Sequence, residues 1–320
     1  MDTRRPYPWQ TAQWQQFAEL VQLDRLPHAL LLTGPAEIGK FQLAMAMAQG
    51  LLCESVDGAV ACGRCRLCLL FQAGSHPDFL LVTPEEEGKA IKVDQIRQLT
   101  EFGTRTASQG GWRVIVVAPA EAMNVNAANA FLKTLEEPGA RVLVVLVNHR
   151  VGGILPTIRS RCRIVPVQMP AISDSREWLA GYYDPGDGVD VDEVLVRAGG
   201  RPLRAMRFLQ SDLQSQIARF DGLMASLEAG ELSVLEGARI CKELPPFDLI
   251  EWLQQYLYDR LRARVLAGDD DSAQAWFRLL DRLTLAKQRL HSPANPNLQL
   301  LWEEVLMDWN SVLDFSARTS

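Results

Sequence analysis

Three groups of residues in this sequence have types and spacings that could do chemistry. The first is "LLTGPAEIGKFQLA", Leu31 to Ala44, where Gly34, Gly39 and Lys40 match the phosphate-binding pattern G-x-x-x-x-G-K-[ST]. Glycines at those places let backbone amides approach a phosphate, and the lysine pairs with its charge. The pattern breaks at Phe41, which stands where a hydroxyl would hold Mg²⁺. The second group is "CESVDGAVACGRCRLC", with Cys53, Cys62, Cys65 and Cys68 spaced C-x8-C-x2-C-x2-C. Four thiolates at such gaps suit a tetrahedral Zn²⁺ and leave no open position, so the site reads as structural. Alternatives are a redox pair, unrelated buried cysteines, or replacement of one ligand by His76, although Arg64 and Arg66 suit a charged zinc knuckle. Cys162 and Cys241 stand alone and read as small apolar residues. The third group is "TIRSRCR", Thr157 to Arg163, with three arginines in seven residues. Such a turn is a solvated loop, an ion-pair network, or a source of an arginine for phosphoryl transfer in a neighbouring chain.

The phosphate loop needs carboxylates to hold magnesium and orient water, and these belong at the end of a later strand. The candidate strand "RVIVV" runs into "APAEAMN", so Ala118 and Pro119 occupy the two expected places. Glu121 comes three residues late, on the outgoing turn. Hydroxyl and carboxylates are missing together, which predicts a site that cannot hydrolyse nucleotide. Lys40 keeps its charge, so binding of ADP or ATP stays open.

The elements that position these groups are legible as a pattern. Apolar runs at "HALLLTG", "DFLLVTP", "WRVIVVAPA", "RVLVVLVN" and "RIVPVQMP" alternate with helical stretches, including "FQLAMAMAQGLL", "VDQIRQLTEFG" and "NAANAFLKTLEEPG". Continuous apolar strands between helices predict an α/β module with a parallel sheet covered on both faces. Its phosphate loop lies on the first strand-to-helix turn. From about Ala171 short helical pieces follow, and beyond Gln210 the chain reads as helical almost throughout. Apolar residues there recur at three and four, as in a buried bundle. Its Trp and Phe residues are expected in the core.

Composition narrows the function. The 320 residues suggest two or three domains, and 48% hydrophobic with 22% charged residues reads as globular. A net charge of −6 speaks against a zinc module that binds nucleic acid alone. The N-terminal stretch has no apolar run of the signal-peptide kind, and no apolar run is long enough to cross a bilayer. The expected location is the cytoplasm, where thiols stay reduced.

In chain order, "YPW", "HALLLTGPAEIGK", the four-cysteine insert, "SHPDF", "NAANAFLKTLEEP", "TIRSRCR" and "NPNLQLLWEEVLMDW" resemble the delta-prime family of bacterial DNA polymerase III clamp-loader subunits, within the AAA+ superfamily. The resemblance implies three domains: an α/β P-loop domain over 1–169 with its zinc module at 53–68, a small helical lid over 170–209, and an all-α collar over 210–320. It implies a partner set of gamma or tau and delta subunits in a hetero-pentamer, acting on a sliding clamp and primer-template DNA. It also implies a subunit without ATPase activity of its own. Arg161, between Ser160 and Cys162, maps onto an arginine supplied in trans to ATP on the adjacent subunit, while Arg159 and Arg163 are structural. Asn148 and Arg204 resemble the family's two sensors, here without a working site in cis. On this reading the cradle is retained as scaffold, and Phe41 fills apolar space at the helix start.

Overall fold

The computed structural model of the chain describes residues 4–86, 88–108, 111–150, 152–183, 190–210, 213–267, 270–290 and 296–319. It divides into two compact units, one ending at Leu209 and the other beginning at Gln210.

In the first unit a parallel sheet is built from β1 (Ala29–Thr33), β2 (Phe79–Val82), β3 (Arg113–Val117), β4 (Val142–Asn148) and β5 (Arg163–Pro166). Their order is β2-β3-β4-β1-β5, so the first strand lies inside the sheet, between β4 and β5. Alternation along each strand explains why the apolar runs are continuous. Leu30, Leu32, Val114, Val116, Leu143 and Val145 face one side. There they meet Phe17 of α1 (Thr11–Gln22) and Leu43, Ala44 and Met47 of α2 (Lys40–Leu52). Leu31, Ile115, Val117, Val144 and Leu146 face the other. These meet Ile96 and Leu99 of α4 (Val93–Thr104) and Ala127, Phe131 and Leu135 of α5 (Val125–Glu136). Both faces of the central strands β1, β3 and β4 are therefore dry, as a sheet with helical crossovers requires, while Leu81 of β2 and Ile164 of β5 stay exposed at the two edges.

Local signals set the boundaries. The Asn124 side chain caps α5 by accepting from the Ala127 amide at 2.8 Å. Pro138 stands just beyond its end. The short α3 (Arg66–Gln72) is capped by Cys65, inside the cysteine insert, and α6 (Pro156–Arg159) opens on a proline suited to a first helical turn. Three further helices, α7 (Ile172–Leu179), α8 (Val191–Arg197) and α9 (Pro202–Leu209), pack on one another. Asp190 caps α8 through the Asp192 and Glu193 amides.

The second unit is helical: α10 (Leu213–Glu228), α11 (Val234–Glu243), α12 (Pro246–Ala267), α13 (Asp270–Leu290) and α14 (Leu298–Thr319). Ser233 and Glu236 form a reciprocal capping box at the start of α11. Phe220, Trp252, Trp276, Trp302 and Trp309 are buried, as the periodicity predicted, but Phe247 of α12 and Phe277 of α13 are exposed, which corrects the expectation for those two. No described helix is long and apolar enough to cross a membrane.

Candidate functional site

The loop between β1 and α2 has the backbone of a phosphate cradle. Gly34 has φ +148°, and a Cβ there would lie 2.2 Å from the Val167 carbonyl oxygen. Gly39 has φ +90° and would place a Cβ 2.2 Å from the Tyr7 ring. Both positions therefore require glycine.

The loop's polar groups are turned inward. Lys40 is 1% exposed, and its Nζ donates to the Gly34 carbonyl at 2.7 Å and to the Pro35 carbonyl. Burial pushes its pKa down to about 8, against the pull of the Glu121 carboxylate. The Ile38 carbonyl accepts from Trp9 Nε1 at 2.9 Å and Gln10 Nε2 at 3.0 Å. Tyr7 and Trp9 stack with centroids 4.9 Å apart, and Trp178 of α7 meets both edge-on. The Glu37 carbonyl accepts from the Leu203 amide of α9 at 3.3 Å, and its carboxylate pairs with Arg207 at 3.1 Å. The tip of the loop is thus held by α9 and by the N-terminal segment, on which α7 packs in turn. Sequence reasoning missed these contacts, although the aromatic "YPW" was visible.

The three positions where the motif would supply magnesium donors do not offer them. Phe41 offers no hydroxyl, and it is 42% exposed, which corrects the expectation that it fills apolar space. The first turn of α2 points position 41 away from the stripe formed by Leu43, Ala44 and Met47. Ala118 and Pro119 offer no carboxylate. Glu121 lies in the turn after β3, with its side chain 3% exposed. One oxygen accepts from the His149 amide at 3.0 Å, and the other is buried without a hydrogen-bond partner. Burial raises the Glu121 carboxyl and lowers His149 to about 4, the nearby Lys40 and Arg150 cations adding to the latter shift. Asn148 at the end of β4 is turned onto its own backbone, donating to the Arg150 carbonyl and accepting from the Arg150 amide. Arg204 is buried, with its guanidinium over the Phe208 ring.

Cys53, Cys62, Cys65 and Cys68 are brought together, all four Sγ atoms within 4.8 Å of one another. Cys53 and Cys65 are 3.9 Å apart, and Cys62 and Cys68 are 4.0 Å apart. A tetrahedron with Zn–S bonds of about 2.3 Å has edges of about 3.8 Å, so the thiols fit such an ion. Amides of Cys62, Cys65 and Cys68 donate to the sulfurs of Cys53, Cys62 and Cys65 at 3.2–3.3 Å, which supports negative charge there. Amides of Arg64 and Cys65 draw the Cys62 thiol down to about 6. His76 is outside this group; it is buried, and its Nδ1 accepts from the Asp78 amide at 3.0 Å. Cys241 is buried in the helical unit, and Cys162 packs beside the sheet core.

Arg161 follows α6 on a turn pinned from both sides. Ile158 is buried before it, Cys162 packs inward after it, and the Arg161 amide donates to the Ile158 carbonyl at 3.0 Å. The Arg161 side chain stands outward, 37% exposed. Ser160, Arg159 and Arg163 are also exposed.

The family model described as "DNA polymerase III, delta subunit" matches residues 9–171, the stretch that contains the whole sheet, the thiol group and the arginine turn. The protein named DNA polymerase III subunit delta′ from Pseudomonas aeruginosa is 36% identical, over 96% of this chain and 98% of that one. The protein of that name from Escherichia coli is 32% identical over 81% and 77% of the two chains. A solved DNA polymerase III gamma subunit-related protein from Thermotoga maritima is 20% identical with a TM-score of 0.47, over 93% and 99%. The chain belongs to the DNA polymerase III delta-subunit family, among the proteins named delta′.

Proposed function

We propose that this chain is a non-hydrolysing subunit of a DNA polymerase III clamp loader. It assembles with gamma or tau and delta subunits in a hetero-pentamer that places a sliding clamp on primed DNA in the cytoplasm. Its α/β domain spans 1–169, its lid 170–209 and its collar 210–320. Arg161 is the group it contributes to chemistry: an arginine finger, flanked by Ser160 and Cys162, directed to the γ-phosphate of ATP on the adjacent subunit.

The observation that carries this reading is a contrast between two cations. Lys40 is buried and bound by carbonyls of its own loop, whereas Arg161 is exposed on a rigid turn. A guanidinium placed against a transferring γ-phosphate neutralises charge that develops there, and is worth about 10³ to 10⁵ in rate at one site. Gly34, Gly39 and Lys40 are then a scaffold rather than a nucleotide site. The four cysteines hold a structural Zn²⁺, which fixes the insert and takes no part in the reaction.

The test is hydrolysis of ATP by the reassembled complex. Arg161→Ala is expected to lower the clamp- and DNA-stimulated rate severalfold while the chain still folds and assembles. A wild-type rate with that variant overturns the assignment.

A second reading is favoured by the buried carboxylate near Lys40: Glu121 serves as the acid of an autonomous ATPase. It requires magnesium-dependent turnover by the isolated chain that is lost in Glu121→Gln.

A further inference from the structure

The Arg161 guanidinium is held on the surface of its own subunit. Its Nη2 donates to Glu136 Oε1 at 2.6 Å, and its Nη1 donates to the Thr157 carbonyl at 3.0 Å. Glu136 is the last residue of α5, and Arg161 comes 25 residues later, beyond β4 and α6. Two rigid elements therefore converge on one flexible side chain. Glu136 is itself badly placed for its own helix, because a carboxylate at a helix C-terminus faces the negative end of the macrodipole. A cation beside it offsets that mismatch.

The geometry leaves the guanidinium usable. Of its five N–H groups, the two contacts use one on each terminal nitrogen. Among the described residues nothing else takes Nε–H or the second N–H of each terminal nitrogen, which leaves them for an incoming anion. The backbone at Arg161 is fixed by the turn, so the remaining freedom lies in the side-chain torsions. An arginine has much rotamer entropy, and a planar fork held at two points loses less on forming each new bond.

We propose that Glu136 is a positioning residue for Arg161: with the Thr157 carbonyl, it holds the guanidinium extended toward the neighbouring subunit's ATP. The inference rests on the reading of Arg161 as a finger in trans. Glu136 touches no phosphate. An exposed ion pair is weak, and both partners here are well exposed, so its effect on folding is small. Its effect on a reaction that needs the fork in one orientation is larger, because misplacement of a positioned group lowers the population of reactive geometry.

The experiment uses the complete loader assembled with wild-type chain, Glu136→Ala, Arg161→Ala and the double variant. Steady-state ATP hydrolysis is measured with clamp and primed DNA. Glu136→Ala is expected to lower kcat about twofold, less than Arg161→Ala does, with KM for ATP unchanged, since the finger acts in the transition state rather than in nucleotide binding. On the Arg161→Ala background the same change is expected to have no further effect. A wild-type kcat for Glu136→Ala, beside a slow Arg161→Ala, overturns the positioning role and leaves the finger in place. Full additivity of the two changes does the same, because it would put Glu136 in another task such as assembly. A wild-type rate for Arg161→Ala overturns the finger reading, and the role of Glu136 with it.

Discussion

Lys40 Nζ lies 2.7 Å from the Gly34 carbonyl oxygen, six residues earlier on the same loop. The cation that would meet a phosphate is turned back onto the backbone that would surround it. The loop's glycines and its lysine hold one another, together with the aromatic residues of the N-terminal segment.

Burying that lysine has a signature in pH. Its pKa in the folded chain is about 8, below its ordinary value of 10.5. Between those values the unfolded chain holds a proton that the folded chain has released, so this group's contribution to stability rises with pH across the window. Below about pH 8 the full cost of the buried charge is present. Lys40→Met removes the titrating group. Urea midpoints of wild type and variant, compared near pH 7 and pH 10, are expected to show wild type gaining on the variant at the higher pH. A difference independent of pH contradicts the assignment.

His149 supplies an acid counterpart. Burial, with Lys40 and Arg150 nearby, lowers it from 6.5 to about 4. Between those values the unfolded chain takes up the proton and the folded chain does not, so stability falls as pH drops through the window. Glu121, raised by burial, opposes this trend, because its folded carboxyl takes up a proton first. The comparison must therefore be between variants. His149→Gln is expected to lose less stability than wild type between pH 6.5 and 4.5, read from unfolding midpoints. Parallel curves for the two proteins contradict this.

The thiol group predicts one zinc per chain. Cys65→Ser with Cys68→Ser removes two of four ligands, one from each of the close sulfur pairs. Elemental analysis is expected to give stoichiometric zinc in the wild type and none in the double variant. Thermal unfolding should fall by several degrees, because a closed structural site contributes its binding energy to folding. Freshly purified wild-type protein without zinc would remove the assignment.

The sheet and the thiols were legible because both announce themselves locally. Val142 to Val147 is apolar at every position, six residues long and rich in β-branched Val, which suits a strand covered on both faces, and the two C-x2-C gaps fix where sulfurs can converge. What could not be read depended on direction in space. Nothing in "GKFQ" tells that Phe41 points outward, since its neighbours Leu43 and Ala44 point inward from the same turn. The pairing of Arg161 with Glu136 is similarly hidden, because it needs the positions of two helix ends separated by a strand. The packing of Trp178 on Tyr7 and Trp9 joins residues 169 or more positions apart, beyond the reach of any periodicity.

Gly39 joins the backbone and packing arguments in one test. At φ +90° an alanine strains its own backbone, and its Cβ would also meet the Tyr7 ring at 2.2 Å. The first penalty is about 1–2 kcal/mol for a left-handed L residue. The second is overpacking, typically about 1–3 kcal/mol. Gly39→Ala is therefore expected to destabilise the chain by roughly 2–5 kcal/mol in denaturant unfolding. Tyr7→Ala removes the ring but not the strain, so on that background Gly39→Ala should cost about 1 kcal/mol less or better, a coupling of the size seen between touching residues. Strict additivity would mean that Tyr7 does not rest on the loop. Full suppression would mean that the left-handed backbone is free to relax. Only a partial coupling fits a loop whose shape is set by its glycine and whose position is set by the aromatic ring above it.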